Sequence, residues 1–245
     1  MGMRLPRARF VVSPLPRAGE TARLSPEEAG HARARRLRPG DPVVLLDGSG
    51  REAEALLTNL DRGGGEVAVE RILPASDPVA PVALFVAGLR VERLAWLAEK
   101  ATELFAESVT LVASARTQSF RGSATVRERL DRVARGAAKQ CQAARWPRIE
   151  GPLPLERALS ERPASHRLFL DTEGEVFPSE LSARAVTLLV GPEGGWTPAE
   201  RETASVQGWS RVALPAGNLR AETAAVCALI LARAALARKT LSRKP

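Results

Sequence analysis

Hydrophobic and polar positions along the chain change rhythm near residue 80. Before that point the apolar runs are short and separated by turn residues. Phe10-Val11-Val12 reads as a strand, and Ser25-Pro26-Glu27-Glu28 as a capping box opening a helix through His31 to Leu37. A turn then leads into a strand at Val43 to Leu46, and "REAEALLTNL" and "EVAVERIL" give two more strands around "DRGGG". Short strands punctuated by glycine turns predict a small β-barrel ending near Leu73. "PASDPVAP", residues 74–81, has three prolines and no periodicity, and reads as a linker between a domain at 1–73 and one at 82–245.

Beyond the linker, strands alternate with helices. "VALFVAG" (82–88) is a buried strand, followed by a helix from Val91 to about Glu107 with Leu94, Leu97, Ala98, Ala101 and Leu104 at helical spacing. "SVTLVAS" is a strand and Val126 to Ala144 a long basic helix. "HRLFLD" and "AVTLLV" are strands, followed by a helix at 198–206, a strand at Val212 to Leu214 and a helix at 222–238. That alternation predicts a mainly parallel α/β sheet. Ligands of such sheets bind at the C-terminal ends of the strands, where "GPEGG" (191–195) and "LPAGNLRAETA" (214–224) fall.

Charge adds a direction. The net charge is +8. Residues 1–40 hold nine Arg against three Glu, most of that excess, which suits a polyanionic partner such as RNA. Cys141 and Cys227 stand alone, and the chain has two His, so zinc, disulfides and Cys-His catalysis are not expected. No metal is predicted. The longest apolar run, Ala224 to Ala232, breaks at Arg233 and is too short to span a bilayer, and no secretory signal is seen near Met1. A cytoplasmic protein without a membrane partner is expected.

The glycine loop does not suit phosphate. It lacks the G-x-G-x-x-G spacing, no Lys-Ser/Thr follows, and Glu193 would repel an anion. An acidic, backbone-rich turn fits a cationic or amide-bearing ligand, for which S-adenosylmethionine is a candidate; a plain β-turn is the simpler alternative. A close approach of ligand to backbone is expected at Gly194.

Four segments, "EKATEL" (99–104), "KQCQAARWPRI" (139–149), "LLVGPEGGWTPAE" (188–200) and "LRAETA" (219–224), stand in the order and spacing of one family. With "RARFVV" and "GDPVVLLDG" nearer the start, they make the chain resemble the 16S ribosomal RNA (uracil-N3)-methyltransferases, of the SPOUT class of knotted methyltransferases. The resemblance implies a PUA-like N-terminal β-barrel for RNA docking and a C-terminal α/β domain with a deep trefoil knot. It also implies a homodimer, S-adenosyl-L-methionine as cofactor, and methylation of N3 of a uridine (1498 in ribosome numbering) in small-subunit ribosomal RNA. By motif match the cofactor residues are Leu189, Gly191, Glu193, Gly194, Gly195, Leu214, Leu219, Arg220 and Ala221. Arg220 and Glu193 are the catalytic candidates, and Arg7, Arg9, Arg33, Arg35, Arg36 and Arg145 the RNA-binding ones. The chain departs from the family at Pro215 and Phe105, where glycine is usual, and at Asn218 and Ala143.

Each residue also has a plainer role. Glu222 can cap the last helix, Arg220 can pair with Glu193 or Glu222, and His31 is expected at the surface or facing RNA. Gln140 and Arg145 suit either a dimer contact or RNA. Two alternatives to the methyltransferase reading are an RNA-binding protein that has lost its cofactor, with Pro215 as the reason, and a knotted enzyme for another RNA site.

Overall fold

The computed structural model describes residues 8–74, 80–117, 124–160, 166–182 and 184–241, the side chains of 238–241 excepted. The chain forms two compact units: Met1–Pro78 with Ala138–Arg145, and Val79–Ala137 with Trp146–Pro245.

In the first unit, β1 (Ala8–Val11), β2 (Thr21–Leu24), β3 (Pro42–Leu46), β4 (Glu52–Leu60) and β5 (Gly65–Leu73) form one sheet in the order β1-β3-β4-β5-β2. The β1–β3 pair is parallel and the rest antiparallel. Helix α1 (Pro26–Ala34) lays Ala29 and Ala32 on a core of Phe10, Leu45, Leu57 and Val67. The pattern had shown no β2, whose two apolar residues, Ala22 and Leu24, are too few for alternation to register.

Ser25 caps α1 by accepting the Glu28 N–H at 3.2 Å. The other half of the expected capping box is missing, because the Glu28 carboxylate takes Lys139 Nζ at 2.8 Å instead. His31 is half-buried and packs edge-on against Phe10 with ring centroids 5.9 Å apart. Burial, then the Lys139 charge, pushes its pKa below the ordinary imidazole value.

Residues 138–145 complete this unit from far along the chain. Arg9 bonds Glu52 and, at 3.4 Å, the Ala143 carbonyl. Gly50 N–H donates to Ala144 O at 3.2 Å, and Arg145 bridges Gly48 and Ser49. A deletion at residue 73 therefore strips partners from 138–145, and the two units are not separable by one cut.

The second unit holds β6 (Val82–Ala87), α2 (Val91–Glu103), β7 (Ser108–Ala113), α3 (Ala124–Cys141, whose end belongs to the first unit), β8 (Arg148–Pro154), α4 (Leu155–Ser160) and β9 (His166–Val176). β10 (Val186–Val190), α5 (Pro198–Val206), β11 (Ser210–Ala213) and α6 (Ala221–Leu241) follow. The six strands are parallel, in the order β11-β9-β10-β6-β7-β8, as the alternation predicted. Leu84, Val86 and Leu188 face α2 and α6 on one side; Phe85, Phe169 and Leu189 meet Trp196, Trp209 and α4 on the other. Strand β8 and helix α4 were not expected. Among the described residues no helix is long and apolar enough to cross a membrane.

Helix ends were overestimated for one shared reason. Arg36, Phe105 and Gln142 have φ of 58°, 55° and 59°, and each turns the chain out of a helix without glycine. After α1, Arg36 N–H bonds Arg33 O and Leu37 N–H bonds Ala32 O, the paired bonds of a Schellman motif. Phe105 and Ala106 make the same pair to Thr102 and Ala101, ending α2 at Glu103 rather than near Glu107. The carbonyls of Leu104 and Phe105, just past the end of α2, and Ala80 O are capped by Arg233, whose pKa burial pushes down to about 10. Left-handed backbone costs an L-residue about 1–2 kcal/mol. Gln142→Gly is therefore expected to raise stability by about 1 kcal/mol, read as a higher Tm, since the side chain is exposed.

Candidate functional site

The two loops singled out in the sequence meet. A cleft of about 970 Å³ opens at the C-terminal ends of β9, β10 and β11. Its lining includes Gly191, Glu193, Gly194, Gly195, Leu214, Leu219, Arg220 and Ala221, together with Val190, Arg93 and Asp171. Leu189 is the exception among the expected cofactor residues. Its side chain is fully buried against Phe85 and Trp196 on the far face of the sheet, and Val190 lines the cleft instead. Alternation along a strand sends neighbouring side chains to opposite faces, which accounts for the exchange.

The floor comes from an irregularity in β9. Its pairing with β11 runs Arg211 with Phe169, then jumps to Val212 with Glu175. Residues 170–174 leave the ladder there, and Leu170, Asp171 and Thr172 reach the cleft. Asp171 is buried and takes Arg201 Nε at 2.7 Å and Arg211 Nη2 at 3.0 Å. Burial alone would raise its pKa; the Arg201 bond, the Glu173 N–H and the two cations outweigh it and hold the carboxyl below the usual aspartate value.

The glycine loop is built around Trp196. Its indole stacks on Phe169 at 4.5 Å and its N–H donates to Leu170 O at 2.9 Å. A Cβ on Gly191 would sit 2.8 Å from that ring, so only glycine fits. Gly195 turns at φ 68°. Gly194, by contrast, would bring a Cβ to an ordinary 3.5 Å contact with Arg116, so the protein itself leaves room for a side chain there. Arg116 donates to Gly194 O at 2.7 Å. Helix α5 starts on the complete capping box of Thr197 and Glu200 that the sequence showed, and Glu200 also accepts the Ala115 N–H at 2.8 Å.

The second loop has its own closure. Ala216 N–H donates to Leu214 O at 2.8 Å across Pro215, a tight turn whose central position proline suits. Arg220 O accepts the Ala224 N–H, placing the exposed Arg220 at the positive end of α6.

Arg220 pairs with neither Glu193 nor Glu222, and among the described residues it has no ion pair. Arg93 takes both carboxylates: it pairs with Glu193 and approaches Glu222 Oε1 with Nε at 3.5 Å. Sequence reasoning missed Arg93, Arg116, Asp171 and Arg201. For Arg93 a signal existed, since the first turn of a helix after a parallel strand lies at the same sheet end as the ligand loops.

Of the RNA candidates, Arg33, Arg35, Arg36 and Arg145 are exposed. Arg9 is nearly buried on Glu52, with burial pushing its pKa down, and Arg7 lies outside the described residues. Among the described residues no cluster of His, Cys, Asp or Glu could hold a metal.

Residues 75–233 match the model of an RNA methyltransferase domain and residues 24–70 that of an RNA methyltransferase PUA domain. Ribosomal RNA small subunit methyltransferase E of Mycobacterium bovis is 34% identical over 90% of this chain and 88% of its own. The chain belongs to this RNA methyltransferase family. Among solved structures, a probable rRNA-methyltransferase of Porphyromonas gingivalis aligns with TM-score 0.82 and 28% identity over 95% of this chain and 99% of that one. The fold is also that of the Neisseria gonorrhoeae ribosomal RNA small subunit methyltransferase E bound to S-adenosyl methionine, with TM-score 0.84 and 24% identity over 96% of this chain and 98% of that one.

Two outcomes follow from the site's construction. Gly191→Ala should displace the Trp196 indole, changing the near-ultraviolet circular dichroism, whereas Gly194→Ala should leave that spectrum as it is. Asp171 has a folded pKa below its unfolded one, so its contribution is present above the ordinary value of 3.8 and lost as pH falls through the folded value. Asp171→Asn should lower Tm at neutral pH, and the gap from wild type should shrink on acidification below that value.

Proposed function

We propose that the protein transfers a methyl group from S-adenosyl-L-methionine to N3 of a uridine in small-subunit 16S ribosomal RNA, the uridine at 1498 in ribosome numbering. The observation that carries this reading is the one cleft in which the Gly191–Gly195 turn and the Leu214–Ala221 loop come together beside Arg220, a cation with no ion pair among the described residues. The cleft fits the cofactor. Val190, Leu214, Leu219 and Ala221 give apolar walls, the glycine turn offers backbone groups, and the Glu193 side chain is 58% exposed, a counter-charge for a sulfonium.

When bound, S-adenosylmethionine supplies an already activated methyl group, so the protein's task is alignment and charge control. Arg93 fixes Glu193 and thereby the turn. Leu189 supports the turn from behind through the sheet. Arg220, at the α6 N-terminus, stabilises the negative charge that spreads to the uracil carbonyls as N3 loses its proton. Arg33, Arg35, Arg36 and Arg145 supply exposed positive charge for RNA docking, and Arg9 holds β1 and residue 143 in place behind them.

The same reading carries a PUA-like N-terminal β-barrel, a trefoil-knotted second domain and a homodimer acting in the cytoplasm. The β11-β9-β10-β6-β7-β8 order supports it, as do relatives named for this activity. Pro215 sits inside a closed turn, Ala216 N–H to Leu214 O, which supports a loop kept in a defined shape for the cofactor.

Arg220→Ala is expected to lower the single-turnover rate on small subunits by about a hundredfold to a thousandfold. Cofactor affinity measured by calorimetry should change little, and raising the pH should partly restore the rate by favouring the N3 anion. A parallel fall in affinity and rate would make Arg220 a cofactor clamp instead.

A further inference from the structure

Beside the large cleft lies a smaller cavity of about 300 Å³, lined by Glu92, Arg93, Trp96, Arg220, Glu222 and Thr223. Arg93 and Arg220 line both, so the two spaces adjoin. Three features set this cavity apart.

The first is Trp96. It stands on α2, whose Leu94 and Leu97 are buried, yet it is 42% exposed. Trp196 and Trp209 are buried with their N–H groups bonded to Leu170 O and Leu159 O, and Trp146 lies under Arg135. Among the described residues Trp96 has no ring or cation partner. A large, bare indole face beside a cavity is what a flat ligand stacks on.

The second is Glu222, 9% exposed, with Oε2 buried and lacking a hydrogen-bond partner among the described residues. Burying a carboxylate oxygen unbonded is costly, and a site that awaits a donor accounts for it. The terminal torsion of glutamate is broad, so the carboxylate can turn toward the cavity at low cost.

The third is the charge set. Arg93 and Arg220 are cationic donors and Glu222 is an acceptor, all three lining the cavity. Two donors and an acceptor match in number the imide edge of uracil, which presents two carbonyls and N3–H. Cytosine offers an unprotonated N3 and would set a lone pair against the carboxylate.

We propose that this cavity is the nucleobase subsite: the target uracil stacks on Trp96 with N3–H toward Glu222 and its carbonyls toward Arg93 and Arg220. This rests on the methyl-transfer reading above. Glu222 accepts the N3 proton, N3 forms the new bond to the methyl carbon, and the electron pair of the methyl–sulfur bond stays on sulfur. The sulfonium donor becomes a neutral thioether, and Glu222 ends protonated. Glu193, held by Arg93, is then the cofactor's counter-charge rather than the base.

The test uses the full-length protein, small ribosomal subunits with unmodified RNA, and short oligonucleotides. Trp96→Ala should lower kcat/KM by about tenfold to a hundredfold, the range of one lost base–aromatic stack, and Trp96→Phe should recover most of it. Glu222→Gln should abolish single-turnover transfer while KM for the subunit and calorimetric affinity for S-adenosylmethionine stay at wild-type values. Without cofactor, a uridine oligonucleotide should quench the fluorescence difference between wild type and Trp96→Phe, and a cytidine oligonucleotide should not. Normal transfer by Trp96→Ala, equal quenching by both oligonucleotides, or loss of cofactor affinity in Glu222→Gln overturns the subsite. So does a changed sedimentation coefficient in Trp96→Ala with normal transfer, which would make the face a contact between copies. If the wild type binds cofactor but methylates no RNA, the methyl-transfer reading fails, and the subsite with it.

Discussion

The cleft exists because an indole occupies the space that Gly191 leaves empty. Trp196 fills it, stacks on Phe169 and donates its N–H to Leu170 O, so one side chain joins the glycine turn after β10 to the out-of-register floor of β9. Without that contact the turn would have no fixed height above the sheet. The rest of the wall is hung from it: Arg116 holds the carbonyl of Gly194, and the α5 capping box holds the loop that carries Arg116. Rigid support around a backbone-lined turn is what a binding site needs if it is to hold a ligand by main-chain groups.

Electrostatic order is imposed by Arg93. Two carboxylates from separate segments, Glu193 and Glu222, are answered by a single guanidinium from α2. That arrangement leaves Arg220 without a partner among the described residues, a cation available to a ligand. Asp171 at the floor is the opposite case, a carboxylate saturated by Arg201 and Arg211 and so withdrawn from chemistry.

Much of this was legible in the sequence. Strand β6 is apolar throughout and β7 and β10 nearly so, and Thr197, Pro198 and Glu200 spell the start of α5, so the parallel sheet and the position of both loops could be read directly. Strand β8 could not, because "RIEGPLP" has neither alternation nor an apolar run and pairs only at the sheet edge. Helix ends were misread because the usual glycine is absent: Arg36, Phe105 and Gln142 take the left-handed turn themselves. Motif matching brought the cofactor loops together but not Arg93 or Asp171, since a partner that closes a site from another element leaves no local pattern. Leu189 was matched to the cofactor loop by motif, and strand alternation turns its side chain into the core.

The return of residues 138–145 to the first unit has a consequence for how the protein is made. During synthesis an N-terminal domain ordinarily folds as soon as its last residue is clear of the ribosome. Here the acceptor for Gly50 N–H, the ammonium for Glu28 and one carbonyl for Arg9 are encoded in the midst of the second unit. The small sheet therefore has to wait, with its polar groups unanswered, while β6, α2, β7 and most of α3 are translated. Completion of the two units is coupled in time as well as in sequence, and a nascent chain stalled before residue 145 would present the first unit unfinished.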